Sequence, residues 1–587
     1  STVETVTLAA DSAGYTQGNQ AFVVNAATAD TLAMTGVTSL TSGVCSPTAI
    51  TMTTKDAFGN VSAVSGSKSL TLTGNQAGSF YGTAGCGAGT ISSITVANAQ
   101  SQATFYYKNN TAQTVTLAAA SGGFAQGSLA FVVNPATADT LAMTGVTPLS
   151  AGVCSASAIT MTTKDAYGNV SVVSGSKSLT LTGNQGGSFY GTAGCGAGTI
   201  SSITVANAQS QATFYYKNNT SQTVTLAADS GGFTQGNQVF VIDPATADTL
   251  VMTGVGPLTA GVCSAAAMTM TTKDAFGNVS NVSGSQSLTL TGNQAGSFYG
   301  TAGCGAGTIS SITVANAQSQ ATFYYKNNTS QTVTLAADSG GFAQGSLAFV
   351  VDPGTADTLA MTGVSPLSAG ACSANAITMT TKDALGNVSA VSGSKSLTLT
   401  GNQSGSFYGT AGCGAGTISS ITVANAQSQA MFYYKNNTSQ TVTLAADSGG
   451  FTQGNQVFVV DPAAADTLVM TGVSPLTAGV CSATAMTMTT KDAFGNVSNV
   501  SGNRSLTLSG AQNGFFYATA GCGAGTISSI TVANAQSQAT FYYKNNTSQT
   551  VTLAANSGGF AQGSQTYVVN PAAADTLAMT GVSPLTA

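Results

Sequence analysis

The sequence has very few charged side chains and lacks two residue types altogether. Only 6% of its 587 residues are Asp, Glu, Lys or Arg, whereas an average soluble domain has about 25%. It contains no His and no Trp, and its formal net charge is −5. A protein that binds nucleic acid needs a basic surface, and attraction to anionic lipid needs clustered Lys and Arg. The composition therefore excludes nucleic acid as a partner.

Long hydrophobic runs are also missing. No apolar stretch approaches the roughly 20 residues that a membrane-spanning helix needs, so we expect no membrane insertion of this segment. Disordered chains combine low hydrophobicity with high charge, but 43% of these residues are hydrophobic. We therefore expect a folded chain whose solubility depends on Thr, Ser, Asn and Gln.

The ten cysteines reveal an internal repeat. They form pairs 41 positions apart, and each pair recurs 109 positions further along the chain. Residues 88–110 (AGTISSITVANAQSQATFYYKNN) return unchanged in every repeat except that Met431 replaces a Thr. A fixed period of this length indicates a tandem array of structural units.

The repeat predicts the domain organisation. Residues 1–26 match the C-terminal part of a unit, and 572–587 match the first strand of a following unit. The two ends together are much shorter than one repeat, so they cannot complete each other, and we expect a stretch of a longer array. Five complete units are predicted at 27–135, 136–244, 245–353, 354–462 and 463–571.

Within a unit, apolar and polar residues alternate with period two, which is typical of half-buried strands. Clusters of Gly, Asn, Asp and Ser separate these runs, and no segment has a helical apolar stripe. Seven or eight short strands in about 100 residues predict an all-β fold of tandem β-sandwiches. The alternating apolar positions are Leu32, Met34, Ile50, Met52, Leu70, Leu72, Ile94, Val96, Ala103, Phe105, Tyr107, Val115 and Leu117, and the strand at 131–133 closes the unit.

One short motif suggests a family. Residues 55–61 read KDAFGNV, and the other units read KDAYGNV, KDAFGNV, KDALGNV and KDAFGNV. An Asp side chain that bonds the local backbone, followed by Gly and Asn, favours a turn. This D-x-x-G-N turn, together with the FYYK and TVTLAA strands, resembles bacterial immunoglobulin-like domains of the invasin and intimin type. The resemblance implies a sandwich fold and a cell-surface location, without implying the receptor-binding tip of an adhesin.

The cysteines are interpreted as disulfides. Their number is even, their spacing is strict, and neither His nor a CxxC motif is present for zinc. We expect one bond within each unit, with bonds between units or molecules as the alternative, and an oxidising, extracellular compartment. The pairs are Cys45 and Cys86, Cys154 and Cys195, Cys263 and Cys304, Cys372 and Cys413, and Cys481 and Cys522.

Few other side chains suggest chemistry. Four charged residues recur in every unit, namely Lys55, Lys108, Asp30 and Asp56. One interpretation is an isopeptide crosslink from a lysine, and the alternative is ordinary solvated charge at strand ends. Asp30 and its copies lie near unit junctions, but Asn replaces the neighbouring Asp243-type residue in the early units, so the carboxylates are too few for a strong calcium site. Without His, no triad or usual general base exists. We predict no catalytic residue, cofactor or metal.

The sequence leaves two further hypotheses open, N-glycosylation and carbohydrate binding. Asn109-Asn110-Thr111 and Asn60-Val61-Ser62 match the N-glycosylation pattern, and the sequence does not decide whether they are used. Tyr106 and Tyr107 are candidate stacking platforms for a carbohydrate, although alternation places Tyr107 inward. No Trp supports this second reading.

The uniformity of the units favours a structural role. We expect a building block of an extracellular bacterial filament, fibre or sheath that associates with other copies of itself. The alternative is the stalk of a large surface adhesin. In that case a surface polysaccharide or a host receptor would be bound through regions outside this sequence.

Overall fold

The computed structural model describes residues 2–581 and shows an all-β chain. Near the N-terminus, β1 (Glu4–Ala10) and β2 (Gly18–Val24) form an antiparallel hairpin. A 3-10 turn at Ala84–Cys86 lies between the fifth and sixth strands of repeat 1. The strands of repeat 1 are β3 (Thr31–Thr35), β4 (Ser39–Thr41), β5 (Ile50–Lys55), β6 (Lys68–Thr73), β7 (Ser79–Tyr81), β8 (Thr90–Ile91), β9 (Ser93–Val96), β10 (Gln102–Lys108), β11 (Gln113–Ala120) and β12 (Gly127–Asn134).

The other four repeats contain the same ten strands in the same order, each with the corresponding 3-10 turn. Repeat 2 has β13–β22 at Thr140–Thr144, Leu149–Ser150, Ile159–Lys164, Lys177–Thr182, Ser188–Tyr190, Thr199–Ile200, Ser202–Val205, Gln211–Lys217, Gln222–Asp229 and Gly236–Asp243. Repeat 3 has β23–β32 at Ala247–Thr253, Leu258–Thr259, Met268–Asp274, Gln286–Thr291, Ser297–Tyr299, Thr308–Ile309, Ser311–Val314, Gln320–Lys326, Gln331–Asp338 and Gly345–Asp352. Repeat 4 has β33–β42 at Ala356–Thr362, Leu367–Ser368, Ile377–Asp383, Lys395–Thr400, Ser406–Tyr408, Thr417–Ile418, Ser420–Val423, Gln429–Lys435, Gln440–Asp447 and Gly454–Asp461. Repeat 5 has β43–β52 at Ala465–Thr471, Leu476–Thr477, Met486–Asp492, Arg504–Ser509, Gly514–Tyr517, Thr526–Ile527, Ser529–Val532, Gln538–Asn545, Gln549–Asn556 and Gly563–Asn570.

Each repeat forms two five-stranded sheets. In repeat 1 the first sheet has the order β3-β5-β10-β7-β8, and the second sheet has the order β4-β12-β11-β6-β9. Strand β3 pairs antiparallel with β5 in the first sheet, whereas β4 pairs in parallel with β12 in the second. The chain therefore crosses from one sheet to the other between β3 and β4, and both sheets contribute inward faces to one sandwich.

Alternating side chains fill the space between the two sheets. Phe105 and Tyr107 from the first sheet and Val115 and Leu117 from the second are each 0% exposed. Every repeat has its own cluster of buried apolar residues, built from that repeat alone. The units are therefore separate sandwiches, in contrast to solenoid repeats, which share a core with their neighbours.

The prediction of an all-β array of repeated sandwiches is confirmed, and the number of strands differs. Each repeat has ten strands rather than seven or eight, because β4, β7 and β8 contain only two or three residues and are too short to show alternation. The unit boundaries at 27–135 and its copies stay predictions. Residues 571–581 contain no strand. The rest of the predicted first strand of a following repeat, 582–587, lies outside the described residues.

Candidate functional site at the repeat junctions

The D-x-x-G-N turn fastens the first residues of its own repeat. In repeat 2, one carboxylate oxygen of Asp165 accepts the backbone N–H groups of Tyr167 at 3.0 Å and Asn169 at 2.9 Å, which closes the turn. The other oxygen accepts the N–H of Ala136 at 2.8 Å. Ala136 opens the predicted repeat, and its carbonyl accepts a hydrogen bond from the Ser171 hydroxyl at 2.5 Å. The turn therefore holds the incoming chain from both sides.

The Asp in this turn is a buried carboxylate that is held ionised. Asp165 is 0% exposed. Burial alone would raise its pKa, but hydrogen bonds from Asn169, Ser42 and Ala136 outweigh burial and lower the pKa to about 2. Hydrogen bonds likewise lower the pKa of the equivalent carboxyl in every repeat. The negative charge is thus part of the junction at neutral pH.

The Asn of the turn reaches across to the preceding repeat. The side-chain oxygen of Asn169 accepts the N–H of Ala112 at 2.9 Å, and its amide nitrogen donates to the carbonyl of Asn110 at 2.8 Å. Both partners belong to the loop between β10 and β11 of repeat 1. The same two bonds recur at the other three junctions, where Asn278 bonds Ser221 and Asn219, Asn387 bonds Ser330 and Asn328, and Asn496 bonds Ser439 and Asn437.

A large side chain between Asp and Gly packs against a glycine of the preceding repeat. Gly43 has φ +75°, and a Cβ there would lie 2.0 Å from the Tyr167 ring. Glycine is therefore required both by the left-handed backbone and by the ring. The same contact pairs Gly152 with Phe276, Gly261 with Leu385 and Gly370 with Phe494.

Exposure shows what this packing covers. Phe58 of repeat 1, which follows only the β1–β2 hairpin, is 66% exposed, while its four equivalents are 45–46% exposed. The contact therefore removes apolar surface from water at each junction between complete repeats. We call the Asp, the Asn and this large side chain, with their partners, the junction lock.

The first junction has two additional hydrogen bonds. The hydroxyl of Ser42 donates to Asp165 at 2.5 Å and accepts the N–H of Ala136 at 2.8 Å. The equivalent residue is Ala151 in the next repeat and Ala in the later ones as well. The remaining junctions therefore depend on the bonds shared by all four.

The structure places each cysteine pair of a repeat together. The five pairs have S–S distances of 2.05–2.12 Å and Cα–Cα distances of 5.7–5.8 Å. In repeat 1 the bond joins the loop after β4 to the 3-10 turn after β7. We propose that these bonds form within each repeat of the native protein.

The asparagines of both glycosylation patterns already use their side-chain amides in hydrogen bonds within the fold. Asn109 is 2% exposed and donates its amide hydrogens to the Tyr107 hydroxyl at 2.9 Å and to a loop carbonyl at 3.1 Å. Burial raises the pKa of Tyr107 to about 12, against the opposing effect of the Asn109 bond. Asn60 donates to Asp56 within the turn, and its four equivalents form the junction lock. Attachment of a glycan would break these contacts.

The other sequence candidates do not assemble into a chemical site. Asp56 is bonded by Asn60, Ala27 and Phe58, with no lysine among its partners, which argues against an isopeptide bond there. Within residues 2–581, no group of three or more His, Cys, Asp or Glu is placed to hold a metal ion. Tyr107 points into the core, as alternation predicts, and cannot stack on a sugar. No helix in the described part of the chain has the length and apolarity to cross a bilayer.

Sequence reasoning identified the turn and missed its partner. The D-x-x-G-N motif predicts a local turn, whereas its Asn also bonds residues 57 and 59 positions earlier in the chain. One signal was present, because the motif and the KNN segment after β10 both recur in every repeat. Two polar segments that recur together at opposite ends of a unit are candidates for contact across a junction.

Comparison with solved structures gives several similar surface proteins. Invasin, a bacterial integrin-binding protein, is 16% identical over 76% of this chain and 82% of its own, with a TM-score of 0.26. The Escherichia coli adhesin FdeC is 17% identical over 57% and 100% of the two chains, with a TM-score of 0.27. Domains 1–6 of the surface layer protein SbsC are 15% identical over 94% and 68%, with a TM-score of 0.19.

No protein-family model matches the sequence, and no curated protein matches it. The chain is thus an all-β array of repeated sandwiches, and invasin, the protein type suggested by its D-x-x-G-N motif, is among the solved structures to which it is similar.

Proposed function

We propose that this chain is a structural component of an extracellular bacterial filament, fibre or sheath. The observation that carries the proposal is the junction lock, which is the same at all four junctions between complete repeats. A chain that needed only five independent domains would have no use for one fixed arrangement between each domain and the next. Identical locks give the array a constant geometry from end to end.

The lock supplies stiffness by three kinds of contact. The Asp fixes the linker, the Asn bonds the preceding loop, and the large side chain fills the space over glycine. A strand of seven or eight residues spans about 25 Å, so a sandwich with its loops is ~40 Å long and five in line reach ~200 Å. We therefore expect a stiff rod of about that length.

The surface suits an extracellular scaffold. Outward strand positions are mainly Thr and Ser, which hydrate without charge, and low charge limits repulsion between neighbouring copies. A bond between Cys45 and Cys86 and its copies would staple each sandwich in an oxidising compartment. We infer from these features a cell-surface location and no enzymatic activity.

A second candidate function is the stalk of a surface adhesin. The junction lock supports it equally, because a stalk also needs a rod that holds a distant tip away from the cell. The two functions differ in their neighbours. A filament or sheath requires ordered contacts between chains, whereas a stalk works as a single rod.

Electron cryotomography of the native cell surface, with antibody labelling of this chain, tests the proposal. We expect labelled rods that lie side by side with a regular spacing. Isolated labelled rods that end in a separate density would overturn the filament in favour of the stalk. Label confined to the cell interior would contradict both functions.

A further inference from the structure

The lysines that recur in every repeat lie on one outer face of the array. In repeat 2, Lys164 ends strand β15 and Lys217 ends strand β20, and both strands belong to the first sheet. The buried residues of β20 are Phe214 and Tyr216, so alternation directs Lys217 outward. Lys164 is in the outward register of β15, because Ile159, Met161 and Thr163 are 0–1% exposed, although Thr162 in the register of Lys164 is itself only 8% exposed. We call this outer surface of the first sheet the lysine face.

Aspartates occupy the opposite outer face in the three central repeats. Asp229 ends β21 and Asp243 ends β22, both in the second sheet, and both are exposed. They alternate with buried Ala228 and Ile242. Repeats 3 and 4 carry Asp338, Asp352, Asp447 and Asp461 at the same positions. We call this outer surface the aspartate face.

The lysines and aspartates lie at matching levels along the rod. Lys164 pairs with Thr140, and Thr140 bridges to Thr234, in the loop that follows Asp229. At the other end of the sandwich, the adjacent residues Ala151 and Gly152 bond the carbonyls of Asp243 and Asn218 at 2.8 Å, and Asn218 directly follows Lys217. Each central repeat therefore has one Lys and one Asp at each end, on opposite faces.

Apolar side chains lie between the charges on both faces. On the lysine face, Tyr190 and Tyr215 are cross-strand partners in outward register. On the aspartate face, Val239 is 53% and Val241 is 42% exposed. Each face therefore has an apolar centre between two charged ends, and the signs of the charges are opposite.

These charges are free in their own chain. Within the described residues, none of the lysine or aspartate side chains of the two faces has a hydrogen-bond or ion-pair partner. The chain has 14 basic and 19 acidic residues in total, and ten of the basic residues and six of the acidic ones lie on these two faces. A second copy of the same chain is the partner that matches both the signs and the 109-residue spacing.

We propose that copies of this chain pack laterally, with the lysine face of one against the aspartate face of the next, parallel and in register. This inference rests on the proposed filament function and specifies its interface. Each central repeat then contributes two Lys–Asp contacts around a Tyr–Val centre. Because the two faces differ, the contact is heterologous. The outermost copy on each side therefore keeps one unoccupied face to which another copy can add. The product is an open row of rods.

A charge swap in the full chain tests the interface. The first variant replaces six residues of the lysine face by Glu, namely Lys164, Lys217, Lys273, Lys326, Lys382 and Lys435. The second replaces the six aspartates of the aspartate face by Lys. A control variant carries Lys177→Glu and Lys395→Glu. These two lysines are the first residues of β16 and β36 and share the register of the buried leucines of those strands, so they belong to neither face. Sedimentation velocity at low and high salt measures assembly, and small-angle X-ray scattering measures the shape of each unassembled chain.

We expect concentration-dependent assembly of the native chain and of the control, lost at high salt because exposed ion pairs are screened. Each six-residue variant alone should remain single, and their equimolar mixture should assemble again. A native chain that stays single at every concentration, or variants that assemble as the native chain does, would overturn the interface. Scattering separates the two proposals. Single chains that are straight would overturn the lateral interface and leave the stiff rod standing. Single chains that are bent would contradict the stiff rod as well.

Discussion

Asn169 of repeat 2 donates a hydrogen bond to the backbone oxygen of Asn110 in repeat 1 at 2.8 Å. This bond has an equivalent at every junction between complete repeats, and it turns a local turn motif into a connection between domains. The mechanical character of the array therefore depends on a few polar atoms at the junctions, since each sandwich buries its own core.

Replacing the four junction asparagines by Ala should make the rod flexible. Asn169, Asn278, Asn387 and Asn496 each form two hydrogen bonds across a junction, and a typical hydrogen bond contributes about 1 kcal/mol, so each junction should lose about 2 kcal/mol. Small-angle scattering should report a shorter maximum dimension, and hydrogen exchange should accelerate at the backbone N–H groups of Ala112, Ser221, Ser330 and Ser439.

The matched control for that variant carries Asn237→Ala and Asn455→Ala. Both residues are exposed on strands of the second sheet and have no side-chain hydrogen bond within the described residues. The control should keep the native dimension. An equal loss of length in both variants would show that the junction bonds do not set the stiffness.

Gly43→Ala should weaken the first junction beyond its cost in backbone strain. The new Cβ would lie 2.0 Å from the Tyr167 ring, so the ring must move. Gly479 is the equivalent residue of repeat 5, with the same φ of +75° and no atom within 4 Å of the new Cβ. Gly479→Ala therefore carries the same backbone strain, about 1–2 kcal/mol, without the clash. Exchange at the Ala112 N–H should rise only in the Gly43 variant, and equal exchange in both would contradict the packing contact.

Removing one disulfide should destabilise one repeat only. In the chain-entropy model, a bond that closes about 40 residues contributes about 4 kcal/mol. Cys263→Ser with Cys304→Ser should lower the unfolding free energy of repeat 3 by about that amount, visible in calorimetry as one early transition, while the other four repeats keep theirs. Peptide mapping without reduction should find Cys45 joined to Cys86 and the equivalent pairs. Bonds between different repeats would contradict the pairing.

Acid should loosen the junctions at low pH. The pKa of Asp165 is about 2 in the folded chain, below the ordinary value of about 3.9. A lowered pKa means that the carboxylate stabilises the fold fully above pH 4 and that this contribution disappears as the pH falls through 2. Scattering should show a straight rod down to about pH 4 and increasing flexibility below it. Asp165→Asn should remove this pH dependence at the first junction, and a rod that bends between pH 5 and 7 would contradict the assignment.

The longer strands and the core could be predicted from the sequence, because the pleat forces side chains to alternate. Phe105 and Tyr107 were predicted to be inward and are fully buried. The same alternation gives the outward direction of Lys108, although the assignment of its strand to a sheet needed the structure. Strands β4, β7 and β8 could not be predicted because two or three residues do not establish a period.

The junction lock could not be derived from sequence alone. Asn169 and Ala112 lie 57 positions apart in different repeats, and no local rule of turns or strands predicts a contact over that separation. The contact between the Tyr167 ring and Gly43 also joins two different repeats, so no local rule predicts it. Contacts between folded units depend on how the units are oriented, which composition and periodicity do not encode.

Small-angle scattering of the purified chain, together with electron microscopy of single molecules, shows whether the array is one stiff rod. We predict straight particles ~200 Å long with a narrow spread of end-to-end distance. A broad distribution of bent, bead-like shapes at neutral pH would show that the junctions do not hold the repeats in a stiff rod.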